Sequence, residues 1–147
     1  MSEESRARIL VVDDDQSALE SLSEFLEKEG HEVFRAASGA QALHLLNADA
    51  AIFDLVLTDL RIRHCDGMKV LETVGANQKE TPVIVMTGFA SMETAIEAIR
   101  HGAYDYLSKP FKLDHVRMLV RRALEQAVLR NENQKLKTLV ASQESDS

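Results

Sequence analysis

At 147 residues the chain has the length of one domain with a sizeable core and room for a tail. Its 45 % hydrophobic and 28 % charged residues are those of an ordinary globular protein, and a net charge of −7 with a pI near 5.2 leaves no electrostatic footprint for nucleic acid or an anionic membrane. No apolar run approaches the ~20 residues that span a bilayer, and a lone Cys65 without a CxxC or a secretory segment excludes an internal disulfide and points to the cytoplasm.

After a polar tail over residues 1–7, Arg8 to Val12 supplies the first strand. From Asp15 to Glu29, Ala18, Leu19, Leu22, Phe25 and Leu26 recur at three- and four-residue spacing opposite Glu20, Glu24, Glu27 and Lys28, the pattern of an amphipathic helix that Gly30 ends. His31 to Ala36 reads as a second strand. Ser38 with Gln41 forms a capping-box signature for a helix through Leu46. The third strand ends at Asp59, and the loop Leu60 to Cys65 leads to a helix from near Asp66 that carries Met68, Leu71 and Val74 inwards. Pro82 opens a fourth strand reaching Thr87. Ser91 caps a helix with Ala95, Ile96 and Ile99 on its core side, and Gly102 closes it. Tyr104 to Leu107 is the fifth strand, and Lys109, Pro110 and Phe111 turn the chain into a final helix.

Strand and helix alternating five times predict an α/β fold with a doubly wound parallel sheet. The last helix runs on: Leu124, Val128, Leu129, Leu136 and Leu139 continue an apolar stripe among charges to about Val140, a length that asks for a partner. The final SQESDS is linker-like.

The stretch FDLVLTD, Phe53 to Asp59, is the organising element. Its apolar run reads as a strand buried on both faces, which places Asp59 at the carboxyl end, where open parallel sheets bind ligands. ILVV ends in the same way before Asp13, Asp14 and Asp15, PVIVM before Thr87, and the fifth strand shortly before Lys109. Parallel neighbours would therefore gather acids, a hydroxyl and an ammonium around Asp59. A carboxylate can attack phosphorus to give an acyl phosphate, and the remaining task is to place charge around the phosphoryl oxygens. Magnesium suits that task with one or two carboxylates and retained waters. Asp13 and Asp14 supply the acids, Lys109 a cation and Thr87 a hydroxyl donor.

These residues resemble a response-regulator receiver domain. VVDDD, LTDLRIRHCDGM, VIVMTG and AYDYLSKPF occur in the family's order and spacing over Arg8 to about Gln126. The resemblance implies a flavodoxin-like (βα)5 fold with strand order 2-1-3-4-5, a receiver over 8–126, and a helical linker or dimerisation extension over 127–147. It implies Asp59 as phosphoacceptor and a magnesium or manganese ion held by Asp14, by Asp13 mainly through water, by Asp59 and by the Arg61 carbonyl. Lys109 and Thr87 contact the phosphoryl group, and the Lys109–Pro110 bond is expected to be cis. By the same resemblance Thr87 and Tyr106 would form the switch pair, coupling the site to the face of the fourth helix, fifth strand and fifth helix, which is also the expected homodimer surface. The partner that the resemblance implies is a sensor histidine kinase. ALEQAVLRNENQKLK resembles the linker leading to the ATPase domain in sigma-factor-dependent activators of the nitrogen-regulation type, which implies an absent transcriptional output.

One departure is Arg63 where the family usually has proline, which alters the stiffness of the loop. Arg61 and Phe89 are placed at the pocket mouth, where their bulk would slow hydrolysis of the acyl phosphate. Two rivals are weaker. A haloacid-dehalogenase-type phosphohydrolase usually carries a second Asp two residues after its nucleophile, where this chain has Arg61. A receiver-like dimerisation scaffold that is never phosphorylated has only Arg63 in its favour. GxxxxGK[ST], GxGxxG after a strand and HExxH are absent. His64 beside Cys65 lacks a second cysteine for a metal site, and His31, His44, His101 and His115 read as surface or capping side chains.

Overall fold

The structure, a computed structural model, describes residues 7–48, 52–62, 65–77, 80–88 and 92–127, without the side chains at 61–68, 77, 92, 94 and 95. Arg63, His64, Phe89, Ser91, the side chains of Arg61, Cys65, Met68 and Ala95, and the stripe from Val128 onwards lie outside the described residues.

Five strands form one parallel sheet: β1 (Arg8–Val12), β2 (Glu32–Ala36), β3 (Leu55–Asp59), β4 (Val83–Thr87) and β5 (Asp105–Ser108), in the order β2-β1-β3-β4-β5. Between them run α1 (Gln16–Lys28), α2 (Gly39–Asn47), α3 (Gly67–Asn77) and α4 (Met92–Arg100), and α5 occupies 113–127. This is the doubly wound α/β sheet that the alternation of strand and helix predicts, in the strand order that the resemblance implies.

Helices cover both faces of the sheet, so β3 and β4 are buried along their whole length and carry unbroken apolar runs in place of an alternating pattern. Alternate residues supply two cores. Ile9, Val11, Leu55, Leu57, Ile84, Met86 and Leu107 pack with Leu19, Leu22 and Leu26 of α1 and Val116, Leu119, Val120 and Ala123 of α5. Leu10, Val12, Val56, Val83 and Val85 pack with side chains of α2, α3 and α4. Each such side chain contributes about 1.5–3 kcal/mol by burial, enough in sum to fix the register at the sheet's carboxyl edge.

The helix ends follow local chemistry. Asp15 caps α1 by accepting the Ser17 and Ala18 N–H groups. Ser38 caps α2 through the Gln41 N–H, while the Gln41 side chain reaches back to the Ala37 N–H. Gly30 and Gly102 take φ of 98° and 101°. Each lets the next residue return a bond to the helix, His31 N–H to the Leu26 carbonyl and Ala103 N–H to the Ala98 carbonyl.

Two local features differ from expectation. The segment after β3 is a two-residue antiparallel ribbon that pairs Arg61 with Asp66 and Ile62 with Cys65. Ile96 and Ile99, expected on the core side of α4, are 46 % and 44 % exposed, and among the described side chains of α4 Ala98 is the one buried against the sheet. A small side chain there seats the helix close to the strands, and the two isoleucines turn outwards.

Candidate functional site

The register brings the strand ends level. Val12 pairs with Thr58, Asp59 with Met86, and Thr87 with Ser108, so Asp13, Asp59, Thr87 and Lys109 emerge at one edge. By strand alternation Asp13, Asp59 and Lys109 continue the face that packs on α1 and α5, whereas Thr87 and Tyr106 continue the opposite face, which α4 covers.

Asp13 and Asp59 are only 2 % and 6 % exposed. The Lys109 ammonium joins them, donating to Asp13 Oδ2 at 2.6 Å and to Asp59 Oδ2 at 2.7 Å. Burial alone would pull this ammonium down, but hydrogen bonds and charge from Asp13 and Asp59 outweigh it and hold the lysine above its ordinary range. The main chain sets these groups: the Asp13 N–H donates to the Ala36 carbonyl at 3.1 Å and the Lys109 N–H to the Thr87 carbonyl at 2.8 Å. The Lys109–Pro110 bond is cis.

Thr87 is buried at the end of β4, Asp14 is exposed beside Asp13, and Arg61 leaves β3 into the ribbon. Tyr106, 39 % exposed, is on the opposite face of the sheet from the acids by strand alternation. Among the described residues no three His, Cys, Asp or Glu side chains close into a ligand cluster. The donors are all oxygens, two of them on buried carboxylates, which fits a hard cation that keeps several of its waters. Sequence reasoning missed the Asp15 N–H, which donates to Asp13 Oδ1 at 2.9 Å. An Asp directly before a helical period signals the cap, but no residue pattern signals where its main-chain N–H points.

Residues 9–121 match the response regulator receiver domain family. The chain belongs to that family. The receiver is 43 % identical to the regulatory protein AtoC of Escherichia coli K12 over 125 residues, 85 % of this chain and 27 % of AtoC. It is 42 % identical to the transcriptional regulatory protein ZraR of the same strain over 116 residues, 79 % of this chain and 26 % of ZraR. The crystal structure of NtrX from Brucella abortus superposes with a TM-score of 0.82 at 38 % identity, covering 88 % of the receiver and 29 % of NtrX. The receiver thus spans about a quarter of the length of the two Escherichia coli relatives. It is a signalling domain of a two-component response regulator, and none of its described helices is long and apolar enough to cross a membrane.

Proposed function

We propose that Asp59 is the phosphoacceptor for a partner sensor histidine kinase. An Asp59 carboxylate oxygen forms the new bond to phosphorus as the bond to the kinase imidazole nitrogen breaks, the electron pair staying on that nitrogen. The observation that carries this reading is the Lys109 ammonium held between the two buried carboxylates Asp13 and Asp59. Lys109 is thereby placed to follow the charge from the free carboxylate to the phosphoryl oxygens, and Thr87 offers them a hydroxyl. Asp14, Asp59 and the Arg61 carbonyl would hold magnesium directly, with Asp13 acting through water. The ion, when bound, offsets negative charge on the transferring group.

Movement of Thr87 towards the phosphoryl group would open space for the Tyr106 ring, a population shift between two states. Ile96 and Ile99 on α4, Tyr106 on β5 and Met118 on α5 are exposed apolar side chains on the three elements concerned. They support a homodimer or output face there, and the likeness to ZraR supports transcriptional output from a longer protein.

The test is intact mass after incubation with a small-molecule phosphodonor and magnesium. One phosphoryl group should be gained, and lost in Asp59→Asn or in chelator. A folded, magnesium-binding protein that gains none would overturn the reading in favour of a scaffold.

A further inference from the structure

Asp13 is held from two directions. Its Oδ2 takes the Lys109 ammonium, and its Oδ1 takes the Asp15 N–H at 2.9 Å, so both torsions of this short side chain are set by groups on two separate elements. The Lys109 bond comes from a long side chain that can move. The Asp15 bond comes from a main chain whose direction depends on the start of α1.

That direction is fixed by Asp15 itself. Its backbone is extended, with φ −84° and ψ 108°, and its Oδ1 accepts the N–H groups of Ser17 at 3.0 Å and Ala18 at 3.3 Å while its carbonyl accepts the Leu19 N–H. The side chain thus ties residue 15 to the first turn of the helix, and the N–H it fixes points back to Asp13. The Asp13 main chain is anchored separately on the Ala36 carbonyl of β2, so a loosened residue 15 would leave the Asp13 backbone in place and free its carboxylate to turn.

We infer that Asp15 is a positioning residue of the phosphoacceptor site, which by capping α1 aims its own N–H at Asp13 and so sets the orientation in which Asp13 meets Lys109 and magnesium. This rests on the function proposed above. Partners that orient a metal-binding side chain carry about 10- to 100-fold in metal affinity. Because Asp13 acts on the ion through water, one main-chain bond to it belongs at the lower end of that range.

The experiment measures magnesium affinity by titration calorimetry in the unphosphorylated protein, with thermal melting as a separate readout. Asp15→Ala removes the cap and should weaken magnesium binding about tenfold. Asp15→Asn and Asp15→Ser keep a capping oxygen without the charge, and both should bind within about twofold of the original protein. Thr81→Val removes a hydroxyl that donates to the Phe53 carbonyl at the amino edge of the sheet; it should lower the melting temperature and leave magnesium affinity unchanged. If Asp15→Ala does not fold, Asp15→Gly, tolerated at this backbone position, gives the same readout. The inference is overturned if the Ala or Gly variant binds magnesium like the original protein. It is equally overturned if the Asn and Ser variants weaken as much as Ala, since the effect would then be one of charge. Failure of the unaltered protein to bind magnesium would overturn the proposed function, and this inference with it.

Discussion

The two edges of the sheet both gather charged groups, and they treat them in opposite ways. At the amino edge Arg8 and Glu32 sit 4.0 Å apart with side chains 38 % and 47 % exposed, and the guanidinium also lies over the rings of Phe34 and Phe53. Asp54 accepts the Arg8 N–H and His31 Nδ1 accepts the Ala7 N–H. These groups finish strand ends while keeping contact with water, and exposed pairs of this kind contribute little. At the carboxyl edge Asp13 and Asp59 are buried around one ammonium. Among the described residues the two buried acids share the Lys109 ammonium, an arrangement that a folding domain alone has no reason to keep. The difference separates a polar edge that finishes strands from one whose buried charges suit the proposed phosphoacceptor site.

Removing Lys109 should break this contrast most severely. Lys109→Ala leaves both carboxylates buried without their cation, and about 3 kcal/mol of stability should be lost in magnesium-free urea unfolding at pH 7. Because the folded lysine titrates above its ordinary value, its contribution is full at neutral pH and disappears only as pH rises through the lysine range. A loss under about 0.5 kcal/mol, as for a surface pair, would show that the carboxyl edge is no different from the amino edge.

Magnesium should act in the other direction. A cation that binds only the folded state at about 100 times its dissociation constant adds about 2.7 kcal/mol, so the melting temperature should rise with magnesium, and Asp14→Asn should remove most of the rise. Arg8→Met, at the amino edge, should leave the rise intact. An unchanged melting temperature at saturating magnesium would contradict the metal site.

The smallest effect belongs to His31. Burial lowers its affinity for a proton, although Glu29 and Asp54 pull the other way, and accepting the Ala7 N–H requires the neutral ring. A folded value below the unfolded one, near 6.5, means a contribution that is complete above that pH and lost as pH falls. His31→Gln keeps an acceptor and removes the titration. Its stability should fall less steeply than that of the parent from pH 7.5 to 5, and parallel profiles would remove His31 from the account.

Much of this was legible in the residues. Arg8 to Val12 reads as a strand and is one, because an apolar run next to acids leaves few alternatives, and the boundaries of α1 follow from Asp15 and Gly30. The acids, Thr87 and Lys109 could be placed at one edge because each follows a strand directly. The direction of α4 was not legible: periodicity marks Ile96 and Ile99 as a stripe but does not reveal that packing would favour the smaller Ala98. The ribbon after β3 is too short for any period. The bond from the Asp15 N–H to Asp13 depends on a backbone angle, which side-chain patterns do not encode.

The most direct test of the central claim locates the phosphoryl group. Borohydride reduces an acyl phosphate of aspartate to homoserine, so peptide mass mapping after phosphodonor treatment and reduction identifies the acceptor. Homoserine at position 59, and at neither 13 nor 14, is the predicted result. Homoserine at 13 or 14 with Asp59 intact would contradict the account, since the ammonium would then have been placed between the wrong pair of roles.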